Sequence, residues 1–172
     1  SDPDMSGAEL AAVADVIRSS RISSGTQVER FEDEFAAWLE RVYGISVSSG
    51  TAALMLVLRA YGIGPGDEVV APSYSWHQIS NAISLVGATP VFADIDYWSG
   101  TLPAEKVAAK ITPQTRAIVA CNNNGHPAPW SDLRALAHRR GLARSEVERM
   151  DDDKIRVQLR YLAHRQYDDE VV

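Results

Sequence analysis

Cysteine occurs once in the 172 residues, at Cys121, and lysine three times, at Lys106, Lys110 and Lys154. A single thiol excludes an internal disulfide and any metal site built from cysteines. Its place at the end of an apolar run predicts a buried strand residue. Long hydrophobic runs are also missing, the longest being Ala52 to Leu58, far short of a bilayer span, so no membrane partner is expected. The opening SDPDMSGAEL is acidic and polar, unlike a secretory signal, and predicts a cytoplasmic location. Basic charge is scarce as well: 17 Lys and Arg stand against 23 Asp and Glu, a net charge of −6, and the cations are scattered. Nucleic acid is bound by concentrated Lys and Arg, so it is not an expected partner. The pair Arg139-Arg140 reads as the end of a helix, where cations favour the dipole.

What is present is ordinary globular composition, 45% hydrophobic and 23% charged, enough for a real core. The stretch Gly44 to Asp96 carries the most information. It reads as a short strand Ile45–Val47, a small-residue turn Ser48-Ser49-Gly50-Thr51, an apolar helix over 51–60, a strand over 68–71 closed by Pro72, a helix over 79–86, and a strand over 90–95. Helices are also predicted over 8–19, 28–43, 103–110 and 131–140, the last capped by Ser131, with a further strand over 116–121. Val28, Phe31, Phe35, Trp38 and Leu39 share one face of the second of these helices. This alternation predicts an α/β fold with a mostly parallel sheet flanked by helices and joined by right-handed crossovers. The glycine-rich run Gly62 to Asp67 follows a helix and precedes a strand, the reverse of a dinucleotide fingerprint, and is read as a turn.

Ligands of such sheets lie beyond the carboxyl ends of the strands, where three segments fall together: Ser48–Thr51, Ser73–His77 and Asn122–His126. At Ser48–Thr51 the first helical turn leaves N–H groups unpaired with the positive end of the dipole behind them, which suits a phosphate. Gly50 lets a ligand approach the backbone, and the hydroxyls of Ser48, Ser49 and Thr51 add donors. Read more simply, Ser49 is an N-cap. Trp76 is either a stacking platform for a planar ring or a core tryptophan. Asn122, Asn123 and Asn124 offer amide donors and acceptors, although Asn-Gly is also a turn signal, and His126 before Pro127 suits a rigid loop at least as well as a catalytic role. Asp94 and Asp96 have the spacing of a metal-diphosphate pair of a glycosyltransferase, but no further carboxylate or histidine accompanies them, and no metal site is expected.

These motifs resemble the DegT/DnrJ-type sugar aminotransferases, pyridoxal-phosphate enzymes of the aspartate-aminotransferase fold. The matching segments run in order: the Gly25 loop with Val28-Glu29-Arg30-Phe31-Glu32, Ser49 to Leu54, Gly62 to Val69, Pro72 to Trp76, Gly87 to Asp96, Ile111 to Ile118, and Gly125-His126-Pro127-Ala128. The resemblance covers residues 25–142. It implies pyridoxal 5′-phosphate as cofactor, with Ser49, Gly50 and Thr51 at its phosphate, Trp76 on its ring, and Asn122 along its edge. His77, Asn124 and His126 become candidate substrate contacts. The implied reaction moves an amino group from an amino-acid donor such as glutamate to a keto-sugar, nucleotide-linked in most members, or to a cyclitol, in a homodimer with active sites at the subunit interface.

One departure stands out. Lys106 and Lys110 sit four apart on a connecting helix as a solvated face, Lys154 follows three aspartates that hold its amine protonated, and none matches the family's Schiff-base position. The family pattern after Leu142 would bring the aspartate of the ring nitrogen, the lysine and a glycine-rich turn. Here residues 143–172 instead resemble the helix that joins the large domain to a small C-terminal one, with Val147, Met150, Ile155, Leu159 and Leu162 near one face. The expectation is therefore an incomplete cofactor-binding large domain over 1–142 and a connector helix over 143–172, the remainder belonging to a longer enzyme. The alternative is a lysine-free homologue that binds a ligand or partner without catalysis.

Overall fold

The computed structural model describes residues 5–23, 25–123, 125–142, 158–160 and 168–171, and the chain divides into two compact units, Ser1–Ser46 and Val47–Val172.

In the first unit, Ser6 and Glu9 form a capping box that opens α1 (Gly7–Arg18): the Ser6 hydroxyl accepts the Ala8 N–H at 3.2 Å, and the Glu9 carboxylate accepts the Ser6 N–H at 2.6 Å. α2 (Thr26–Trp38) stacks Phe31 on Phe35 with ring centroids 5.5 Å apart. It stops well before the predicted Tyr43. Glu40 takes a left-handed φ of 56°, and the chain doubles back so closely that a Cβ on Gly44 would lie 2.5 Å from the Glu32 carbonyl oxygen. The return is fastened by the Glu32 carboxylate, which accepts the Ser46 N–H at 2.6 Å.

The second unit runs α3 (Gly50–Ala60), β1 (Glu68–Pro72), α4 (Gln78–Leu85), β2 (Thr89–Ala93), α5 (Ala104–Ala108), β3 (Thr115–Asn122) and α6 (Trp130–Arg139). β2, β1 and β3 lie side by side in parallel, with Val70 opposite Val91 on one neighbour and Ile118 on the other. Alternation along the strands divides the apolar residues between two layers. Val69, Ala71, Val119 and Cys121 pack with Leu54 and Leu58 of α3 and Ile79, Ala82 and Ile83 of α4. Val70, Ala93, Ile118 and Ala120 pack with Val107 of α5 and Leu133, Leu136 and Ala137 of α6. Helices thus cover both faces, as the α/β alternation predicts, and Cys121 is buried as expected. Each fully buried Leu or Val in these layers contributes about 1.5–3 kcal/mol.

Three sequence expectations are corrected. Ile45–Val47 forms no ladder: Ile45 is exposed, and no described strand lies beside the segment to pair with it. Ser131 is not the cap of α6, because Pro129 with its fixed φ of −75° starts that helix one residue earlier, with Trp130 as its first residue. The helix expected over 143–172 lies mostly outside the described residues. Where that stretch is described it is strand, β4 (Gln158–Arg160) and β5 (Asp168–Val171), with β5 antiparallel to β3 and Val171 opposite Val119. Pairing there satisfies backbone groups along the β3 edge that a helix would leave open.

Candidate functional site

The site assembles at the carboxyl ends of β1, β2 and β3. Ser49 is the N-cap of α3, in extended conformation, with its hydroxyl accepting the Ala52 N–H at 3.2 Å and its carbonyl accepting the Ala53 N–H at 3.0 Å. Gly50 and Thr51 are the first two helical residues, so their own N–H groups have no intrahelical carbonyl to reach. The cap reading of Ser49 and the anion reading of the turn are therefore compatible: the cap uses Ala52 and Ala53 and leaves the two leading N–H groups open.

β1 ends at Pro72, and the loop beyond it is tied to both neighbouring strands. Ser73 donates its N–H to the Ala93 carbonyl at 2.8 Å, and the Ser75 hydroxyl lies 3.3 Å from the Cys121 thiol. Anchored at those points, the loop presents Trp76 to solvent. Trp76 is 70% exposed, which removes the core-tryptophan reading. The His77 ring lies 5.1 Å from it, tilted by 37°.

Gln78, a residue the sequence reading passed over, joins the two helices. Thr51 donates its hydroxyl to Gln78 Oε1 at 2.9 Å, so the first turns of α3 and α4 meet at one bond. Gln78 Nε2 lies 3.3 Å from His77 Nε2. Only the contact itself marks this pair, since the two residues are 27 apart in sequence.

Asn122, at the end of β3, has its side-chain carbonyl engaged by the Ala128 N–H at 2.8 Å and the Trp130 indole N–H at 3.0 Å. Its amide NH2 is the group left for a ligand. Asn123 is buried and donates to the Gly100 carbonyl at 3.2 Å. His126 is exposed on a tight turn, bridged to Asn123, with Gly125 in the left-handed region at φ 79°. Asn124 lies outside the described residues.

Asp94 and Asp96 serve the fold. Asp96 caps its own turn, accepting from the N–H groups of Trp98 at 3.1 Å and Ser99 at 2.8 Å and from the Ser99 hydroxyl at 2.9 Å; the Ser99 backbone bond does most to hold its carboxyl below the usual carboxylate range. Asp94 is lowered first by the Ile95 N–H and then by Lys106, whose ammonium lies 3.3 Å from it and donates to the Ile95 carbonyl at 2.8 Å. Lys106 is thus held against the end of β2, not on a free solvated face. Among the described residues no group of three or more His, Cys, Asp or Glu is placed to hold a metal, and no helix is long and apolar enough to cross a membrane.

Pyridoxal phosphate fits two parts of this arrangement. The open N–H groups of Gly50 and Thr51 suit its phosphate, and the exposed Trp76 ring suits its heterocycle. An amine for a Schiff base is not supplied alongside them: Lys106 is engaged at Asp94, Lys110 follows α5 on the face of the sheet opposite α3, and Lys154 lies outside the described residues.

Residues 3–146 match the DegT/DnrJ/EryC1/StrS aminotransferase family. Among solved structures, the chain is similar to DesV of S. venezuelae, at 46% identity and TM-score 0.75 over 78% of this chain and 37% of that one. It is similar to the sugar aminotransferase Spr1654 of Streptococcus pneumoniae in its PMP form, at 30% identity and TM-score 0.78 over 81% and 35% of the two chains. A third is 3-amino-5-hydroxybenzoic acid synthase, at 31% identity and TM-score 0.78 over 83% and 38%. The chain therefore spans less than two fifths of the length of each of these proteins.

Proposed function

The chain belongs to the DegT/DnrJ/EryC1/StrS aminotransferase family, and from that membership we propose that it forms the phosphate- and ring-binding part of a pyridoxal-phosphate aminotransferase. In this reading the reaction carries an amino group from an amino-acid donor to a keto-sugar, nucleotide-linked, or to a cyclitol. The observation that carries it is the open first turn of α3, bonded through Thr51 to the first turn of α4 just beyond the exposed ring of Trp76.

Each residue then has a physical task. The N–H groups of Gly50 and Thr51 hold the phosphate at the positive end of the α3 dipole, and Ser49 fixes that turn from outside. Trp76 stacks on the pyridine ring and excludes water from one of its faces. Asn122 offers its amide NH2 along the cofactor edge, while His77, Asn124 and His126 are the candidates for substrate contact at the rim. Bound there, the cofactor supplies an electron sink for the carbon that gains or loses the amino group. In this reading Lys106, Lys110 and Lys154 are not the lysine that anchors the cofactor, and residues 1–142 form the cofactor-binding large domain. A homodimer, a cytoplasmic setting and a role in secondary metabolism complete the proposal on the family pattern.

Binding of pyridoxamine 5′-phosphate, followed by calorimetry, tests this reading with a ligand that has no aldehyde to react with surface amines. The phosphorylated form should bind at least about tenfold more tightly than pyridoxamine, and Trp76→Ala should weaken both about fivefold, the scale of one stacked aromatic pair. Borohydride reduction with pyridoxal phosphate should leave Lys106, Lys110 and Lys154 unmodified in a peptide map. No preference for the phosphorylated form, or a stoichiometric adduct on one of those lysines, would overturn it.

A further inference from the structure

We propose that Gln78 sets the affinity of the phosphate site by competing with the phosphate for the hydroxyl proton of Thr51. The inference rests on the reading of Gly50 and Thr51 as phosphate ligands.

A threonine hydroxyl has a single proton to donate. Here it goes to Gln78 Oε1 at 2.9 Å, and the Asn81 amide approaches the same oxygen at 3.5 Å. The Gln78 amide is placed with its oxygen toward these two groups, where it accepts only. The amide nitrogen is turned toward His77 instead, at 3.3 Å from its Nε2.

A phosphate is likewise an acceptor. Seated on the first turn of α3, it receives the N–H groups of Gly50 and Thr51 but meets a Thr51 oxygen whose proton is already committed. The hydroxyl therefore serves as a clasp between α3 and α4 and contributes no bond to the anion. Without the Gln78 acceptor, rotation about the Cβ–Oγ1 bond is enough to turn that proton to the phosphate, and a hydrogen bond to an anion is stronger than one to a neutral amide. Gln78 accordingly holds affinity below what the same backbone would reach, and it does so for phosphorylated ligands alone.

The test compares pyridoxamine 5′-phosphate with pyridoxamine by calorimetric titration of the protein and of three variants, Gln78→Met, Thr51→Val and the double substitution, each checked for folding by circular dichroism. Methionine keeps the length and packing of glutamine without an acceptor of similar strength. Gln78→Met should raise the preference for the phosphorylated ligand about fivefold, one hydrogen bond's worth. In the double variant, where no hydroxyl proton remains to be released, that gain should disappear. A merely structural Gln78 would weaken both ligands equally. An unchanged or reduced preference in Gln78→Met, or a gain that persists in the double variant, overturns the proposal. Should Gln78→Met fail to fold, Gln78→Leu, which also lacks the acceptor, takes its place with the same expected gain. If the unsubstituted protein shows no preference for the phosphate, it is the underlying reading of the site that falls, and this inference with it.

Discussion

At Asn122 a single side-chain carbonyl receives two donors, the Ala128 N–H and the Trp130 indole, and so fixes how the chain leaves β3 and enters α6. Asn122→Ala strands both donors in a partly buried place, and the expected loss is about 1–3 kcal/mol in urea unfolding. Asn122→Asp keeps the acceptor and should cost much less. That contrast separates the structural task of the carbonyl from the proposed cofactor contact of the NH2, which Asp also removes: Asn122→Asp is expected to keep stability while weakening pyridoxamine 5′-phosphate. The residue types of this site were legible in the sequence because each is tied to a local signal: a serine before an apolar helix, a glycine at its start, an aromatic in a loop after a strand. Gln78 and Lys106 were not. Their partners, Thr51 and Asp94, lie 27 and 12 residues away, and no periodicity encodes such contacts. For Lys106 the solvated-face reading followed from i, i+4 spacing alone, and tertiary packing replaced it with a bond to the end of β2.

The helices and parallel strands of the second unit follow their sequence periodicity closely, with ends displaced by one or two residues, because each buried face there packs against a partner element. Elements without one depart from the reading. Ile45–Val47 has the residues of a strand but no described neighbour, and a ladder cannot form from one side. α2 has the apolar face for a helix to Tyr43, yet it ends at Trp38, where Glu40 turns left-handed and the Arg41 N–H closes on the Ala36 carbonyl at 2.8 Å, and the chain then returns past Glu32 at Gly44. Gly44→Ala should therefore disturb the first unit, since the added carbon would sit 2.5 Å from the Glu32 carbonyl oxygen, a backbone atom that does not yield. Overpacking of this kind costs typically about 1–3 kcal/mol, and the change should appear as faster amide exchange at Ser46, whose N–H is fastened to the Glu32 carboxylate. A Ser46 exchange rate equal to the unsubstituted protein's would show that the return tolerates a side chain.

Across the whole chain the excess of acid, −6 at neutral pH, opposes compaction, yet some of those carboxylates are bound in ways that favour the folded state. Glu9 is held low chiefly by the Ser6 hydroxyl, Asp94 chiefly by the Ile95 N–H, and Asp96 chiefly by the Ser99 N–H. All three shifts are downward, so the folded state prefers the ionised form. Their stabilisation is fully present above the unfolded carboxylate range, near pH 4, and is lost as pH falls through the depressed folded values. Thermal melts should accordingly hold level from pH 7 to about pH 5 and then decline as protons displace these bonds. Because the three groups are open to solvent, each share is small and is screened by salt. The decisive comparison is the triple variant Glu9→Gln, Asp94→Asn and Asp96→Asn, which removes the titrating groups but keeps side-chain carbonyl acceptors. It should melt lower than the unsubstituted protein at pH 7 and show a flatter decline between pH 5 and pH 3. Parallel acid limbs in the two proteins would place the acid sensitivity in other carboxylates, and the capping bonds at Ser6, Ile95 and Ser99 would then carry no proton-linked stability.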